Sequence, residues 1–209
     1  MILLVPYKDD GFCGHELRYC IRSMVKHFTD LTGVCLIGDK PAWYIGEHIT
    51  MNDPGRKEQN IVNKVLSSPY ENFLLCSDDC FALKDFDSSL PLCYSMKLKH
   101  YKGGGNYPDR VRNVMQLYPD GFMYDIHQPM VINLTKFKEA HGKADWDKKD
   151  YLTKSLYGNY IGGGVQLDDY KIKTGKVVDT SRPFFSTNQL TGKLIRFDEI
   201  YPNASEYEK

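Results

Sequence analysis

The sequence predicts an α/β fold, a mostly parallel sheet flanked by helices, and three observations point there. Short apolar runs recur at 2–5, 34–37 and 73–76, with the length and composition of strands buried on both faces. Between them, Leu17, Ile21, Met24, Val25 and Phe28 fall at helical spacing, and Lys57 to Leu66 reads as a second helix. The last run stops on two adjacent carboxylates, Asp78 and Asp79, before the chain turns apolar again at Cys80 and Phe81. Strands alternating with helices argue parallel pairing, and such sheets receive ligands at the carboxyl ends of their strands.

Each element has a local reason. Ile2 to Val5 is a strand that Pro6 ends, and a polar, glycine-punctuated loop follows from Tyr7. His15 to Phe28 is a helix whose Arg18 and Arg22, four apart, share a face. Val34 to Ile37 is closed by Gly38-Asp-Lys-Pro41, and Glu47 to Met51 is a weak third strand ending in Asn52-Asp-Pro-Gly55. Beyond the acidic pair, Leu92 to Met96 reads as a strand. The stretch 97–112 carries Lys97, Lys99, His100, Lys102, Arg110 and Arg112 around Gly103-Gly-Gly105. It is either a solvated loop or a mobile basic lid facing an anion. In Tyr124–Asn133 an Asp and a His stand two apart, which on a strand is one face. Trp146 to Tyr160 reads as a helix, Gly162-Gly-Gly164 as a hinge, Val177 to Asp179 as a strand, and Leu190 to Tyr201 as an amphipathic helix.

Composition sets the class. The chain has 209 residues, 42% hydrophobic and 26% charged, with net charge zero, so no global field recruits nucleic acid or membrane. The six cysteines lack Cys-x-x-Cys spacing and read as small buried hydrophobes in a reducing compartment. The apolar start is too short for a signal h-region and no run reaches transmembrane length, so a cytoplasmic location is expected.

The acidic pair carries the chemistry. Neither carboxylate is cheaply buried alone, and side by side they raise each other's pKa. Hard carboxylate oxygens suit Mg²⁺ or Mn²⁺, which would relieve both problems. The plainer alternative is a polar turn that caps the next element.

Several strings then occur in a recognisable order. They are a strand ending at Pro6, Glu16-Leu-Arg-Tyr-Cys-Ile-Arg-Ser23, Ile37-Gly-Asp-Lys-Pro-Ala-Trp43, a helix with Lys64, and Leu74-Leu-Cys-Ser-Asp-Asp79. Together they resemble the nucleotide-sugar half of GT-A fold glycosyltransferases, especially the small enzymes of phages and bacteria. The Glu16–Ser23 string is also similar to one in the Stealth sugar-phosphate transferases. Asp125-Ile-His-Gln-Pro129 and Ser155-Leu-Tyr-Gly-Asn159 are similar to strings of the phage enzymes. The likeness spans residues 1–170 and is strongest over the first 80.

The resemblance implies a single domain, about 1–96 binding the donor and about 97–209 the acceptor. It implies a UDP-sugar donor and an Mn²⁺ or Mg²⁺ cofactor. Asp79 matches the metal-binding acid, while Ser77 stands where the family often has the acid that holds the ribose, and Asp78 lies between them. Pro6 and Tyr7 match the uracil site, Asp53 an edge contact to the base, and Arg18, Arg22 or Lys64 the counter-charges of the diphosphate. Asp125 is implied as the general base, with His127 as a second base or a metal ligand. Two acceptors stay open: a hydroxymethylated pyrimidine in DNA, gripped by Lys97, Lys99, Lys102, Arg110 and Arg112, or a surface glycan. Sugar-phosphate transfer is the alternative reaction, and a non-catalytic nucleotide-sugar-binding module the alternative class.

Overall fold

The computed structural model describes residues 1–9, 11, 14–173 and 177–209. Its centre is a five-stranded sheet in the order β3-β2-β1-β4-β7. β1 is Ile2–Tyr7, β2 Gly33–Gly38, β3 Glu47–Thr50, β4 Asn72–Leu75 and β7 Met130–Asn133. The first four strands are parallel and β7 runs antiparallel to β4. The fold is therefore α/β with a mixed, mostly parallel sheet flanked by helices. Strand order reverses between β1 and β4, and at such a switch point the loops beyond the carboxyl ends part to leave a crevice.

Side-chain alternation divides the core between the two faces. Leu3, Val5, Leu36 and Leu74 meet helix α1 (His15–His27), whose Leu17, Cys20, Ile21 and Met24 are fully buried. Leu4, Cys35, Ile37, Phe73 and Leu75 pack on the other face with α2 (Lys57–Leu66), α4 (Leu134–Gly142) and α5 (Thr153–Ile161). A third cluster joins Val111 and Val114 of α3 (Tyr107–Leu117) to Leu98, Met123, Leu152 and Leu156. β7, from the second half of the chain, completes the sheet begun by the first, so the two halves share one core.

The structure departs from the sequence reading in six places. β1 runs through Pro6 to Tyr7, because β4 pairs with β1 only as far as Leu4. Leu4 O accepts from Cys76 N, so even-numbered residues of β1 face β4 and the missing N–H of Pro6 falls beyond that ladder. Half of the basic stretch is helix: a 3₁₀ turn at Leu98–His100 and then α3, with Pro108 in its first turn. Residues 124–128 form no strand, since Ile126 N and Gln128 N each bond the carbonyl two residues back, and the helix expected from Trp146 starts only at Thr153. Val177–Asp179 forms no strand. The strand lies later, at β9 (Phe184–Ser186), paired antiparallel with β5 (Cys80–Ala82), while β6 (Cys93–Tyr94) pairs parallel with β8 (Val165–Gln166). The tail expected as one helix from Leu190 is two short ones, α6 (Gln189–Leu194) and α7 (Phe197–Ile200).

One buried carboxylate joins α2 to α3 and α5. Glu58 accepts from Arg110 Nη1 at 3.0 Å and from Thr153 Oγ1 at 3.0 Å, and Arg110 Nε also reaches Asp150 at 2.7 Å. Burial, then the charge of Asp125, raises the Glu58 pKa from its ordinary 4.5 to about 7, and Arg110 offsets only part of this. A raised folded-state pKa means stability that is complete below about pH 4.5 and is lost as pH rises through about 7. Glu58→Gln keeps an acceptor for Thr153 and removes the titration. Its melting temperature should therefore gain on that of the wild type between pH 5 and pH 8; a constant difference across that range would refute the assignment.

Candidate functional site

The loop after β4 holds Asp78 and Asp79 at the switch point, and strand pairing brings the rest of the site to it. β5 leaves the acidic pair and pairs with β9. The segment 170–172 in turn lies on β9, with Ile172 N bonding Ser186 O at 2.8 Å and Ser186 N bonding Tyr170 O at 2.9 Å. Lys171 thereby arrives beside Asp79, and Asp169 beside His127.

The resulting array is specific. His127 Nδ1 lies 2.8 Å from Asp169 Oδ2, and the His127 backbone N–H donates to Asp169 Oδ1 at 2.9 Å. That places the ring proton on Nδ1 and leaves the Nε2 lone pair facing Asp79 Oδ2, 3.9 Å away. Lys171 Nζ sits between them, 3.2 Å from Asp79 Oδ2 and 3.1 Å from His127 Nε2. Burial works to raise the Asp169 pKa, but the hydrogen bonds from the His127 ring and backbone N–H, with the charge of Lys154, outweigh it, so the carboxyl stays below its ordinary range. Lys154 donates to Ile126 O and, at 2.9 Å, to Gln128 O, which fixes the turn that carries His127. His127 and Asp169 of this array also line a small cleft with Asp168, Tyr170, Arg182 and Phe184.

The donor set suits a small hard cation. Two ligands of one such ion at about 2.1 Å span about 3 to 4.2 Å, so Asp79 and His127 at 3.9 Å could share it. The Asp169–His127 hydrogen bond is the outer-shell carboxylate that metal-bound histidines commonly have. The ammonium of Lys171 already marks the position as one for a cation. Among the described residues no three His, Cys, Asp or Glu side chains form a metal-holding group, so the remaining ligands would be water and substrate oxygens.

No family model matches the chain, and no curated protein matches it either. The site therefore stands on its geometry.

Other residues read from the sequence as functional are placed elsewhere. Asp125 faces away from His127: its Oδ1 accepts from Lys154 N at 3.2 Å and its Oδ2 from Ser155 N at 2.6 Å, capping α5. Both oxygens are engaged by amides, so it is a poor general base. Lys64 is 3% exposed and bonds Asp53 at 2.8 Å and the Tyr7 carbonyl at 2.8 Å, leaving neither Lys64 nor Asp53 for a donor. The Tyr7 ring is 1% exposed within the α1-side core and offers no face to a base, and Pro6 belongs to the ladder with β2. Arg22 makes a bidentate pair with Glu208 at 2.9 Å, while Arg18 approaches the same carboxylate at 3.5 Å and lies over the Trp43 ring.

Three of the five cations predicted for the acceptor are likewise paired: Arg110 is held by Glu58 and Asp150, Arg112 by Asp109 and Lys99 by Asp120. Lys97 reaches the Phe122 ring and Lys102 is exposed. Asp169 and Lys171 were missed because nothing in Asp168-Asp-Tyr-Lys171 shows that β9 will carry it across to β5. Cys20, Cys76 and Cys80 are buried free thiols behind the acidic loop, as their sequence context suggests, with Cys20 and Cys76 Sγ 4.0 Å apart; Cys13 lies outside the described residues.

The capping role is testable. Asp125→Ala should lower stability by about 1–2 kcal/mol, the usual loss when a side-chain cap is removed. It should leave Mn²⁺ binding, followed by electron paramagnetic resonance, where it was. Unchanged stability with lost binding would return Asp125 to the site.

Proposed function

We propose that the chain is a GT-A-like, metal-dependent glycosyltransferase that moves a sugar from a UDP-sugar to an acceptor hydroxyl. The observation that carries this reading is an acidic loop at the switch point of a mostly parallel sheet, facing a histidine that a second carboxylate orients. Asp79 and His127 would hold Mn²⁺ or Mg²⁺, with Asp169 fixing the imidazole and Asp78 turned to the donor. The cation, when bound, supplies neutralisation of the departing diphosphate. Lys171, beside the same carboxylate, can bring a further positive charge to the diphosphate. With Asp125 engaged in capping, the acceptor proton is assigned to Asp168, in the wall of the same cleft.

The pairing of Arg110 and Arg112 with carboxylates weakens the charge argument for a DNA acceptor. A saccharide hydroxyl is therefore the acceptor favoured over hydroxymethylated DNA. Among the described residues no helix is long and apolar enough to cross a membrane.

Hydrolysis of UDP-sugars in Mn²⁺ without acceptor, read by mass, tests the reaction. Asp79→Asn should abolish it, and Asp169→Asn should weaken metal affinity by about 10- to 100-fold. Equal turnover in a chelator would remove the metal. UDP-sugar binding without any turnover would make the chain a binding module, and a product heavier by a further phosphate would make it a sugar-phosphate transferase.

A further inference from the structure

The ammonium of Lys171 occupies the point where Asp79 and His127 converge, within hydrogen-bonding distance of both. We propose that Lys171 is a resident substitute for the metal, which a divalent cation must expel, and that the expelled ammonium then pairs with the diphosphate of the donor. The inference rests on the metal-dependent reading above and adds a rule to it: cation and nucleotide bind cooperatively, and neither binds well alone.

Like charge provides the first argument. A divalent cation about 2.1 Å from Asp79 Oδ2 and His127 Nε2 would stand within about 3 Å of Lys171 Nζ, so the two positive centres exclude each other. The lone pair of Nε2 serves one of them at a time.

Construction provides the second. The backbone at 170–172 is fixed to β9 by two hydrogen bonds, so expulsion needs only the four-carbon stem to swing. The stem has somewhere to go, since the Lys171 side chain is 25% exposed. Lys154, by contrast, is held by two backbone carbonyls and is not free to exchange.

Linkage provides the third. A ligand that needs a minority state binds with its affinity reduced by the fraction of molecules in that state. A donor diphosphate that receives the swung ammonium would populate that state and so raise cation affinity, and the cation raises nucleotide affinity by the same factor.

The test is Mn²⁺ binding by electron paramagnetic resonance, with and without UDP, for the wild type, Lys171→Met, Lys171→Arg and Asp79→Asn. Without UDP, Lys171→Met should bind Mn²⁺ about 5- to 150-fold more tightly than the wild type, the usual span of such coupling. Lys171→Arg, which keeps the charge, should stay near the wild type, and UDP should enhance Mn²⁺ binding more in the wild type than in Lys171→Met. Acetylation of Lys171 by acetic anhydride, followed by mass, gives a readout on the unaltered chain: Mn²⁺ should speed it and added UDP should slow it again.

Equal Mn²⁺ affinity in the wild type and Lys171→Met, lowered in both by an added Asp79→Asn, would overturn the Lys171 proposal and leave the metal site standing. No Mn²⁺ binding by any variant, with or without UDP, would bring down the metal reading itself. Tight metal-free UDP binding that Lys171→Met weakens would make Lys171 a permanent counter-ion and overturn its expulsion.

Discussion

A single buried ammonium fixes the carboxyl ends of the parallel strands. Lys64 reaches from α2 under the sheet to the Tyr7 carbonyl at the end of β1 and to Asp53 beyond β3. The end of β2 closes around it: a Cβ on Gly38, whose φ is 124°, would lie 2.1 Å from Tyr7 O and 2.7 Å from Lys64 Nζ. Three strands thus end at one charge, and only glycine fits where they meet. Removing either partner of such a pair leaves a buried charge uncompensated, at a cost of about 3–5 kcal/mol. β4 parts from β1 at Leu4, three residues before that charge, and Asp78 and Asp79 emerge beyond the parting.

The acidic loop is held from behind by small side chains rather than by charge. Cys20, Cys76 and Cys80 fill the space between α1 and the loop, and the Cys80 thiol donates to His127 O at 3.3 Å. In front, Thr187 N bonds Asp79 O at 3.3 Å. The backbone of the acidic loop is therefore positioned by uncharged contacts, while Lys154 pins the turn that carries His127. The side chains of Asp79, His127, Asp169 and Lys171 are left to answer to one another, an arrangement that tolerates exchange of one cation for another without disturbing the sheet.

Much of the fold was legible because its signal is local. The strand runs of β1, β2 and β4 and the stripe of α1 are periodic patterns that burial alone requires, and the acidic pair at a strand end is visible as a charge where apolar residues should be. The errors arose where partners distant in sequence decide. The resemblance offered Arg18 and Arg22 to the diphosphate, but Glu208 arrives to occupy them. Asp125 and His127 read as a pair on a strand, yet consecutive tight turns send one to cap α5 and the other to Asp169. α3 was hidden because Gly103-Gly-Gly105 and a run of charges precede it, although Val111 and Val114 supply its apolar face. Composition marked these residues as polar and available, and only topology shows which of them are already taken.

The Arg22–Glu208 pair also imposes an order on synthesis. The guanidinium of Arg22 is 11% exposed and its partner lies 186 residues later. At translation rates of about 5–20 residues per second, α1 waits about 10–40 s for that carboxylate. β5 waits for β9 over a shorter but comparable span. During that interval the apolar face of α1 can close on β1 and β2, while its charged edge and the acidic loop remain open to water. A nascent chain therefore acquires its sheet before its candidate catalytic array.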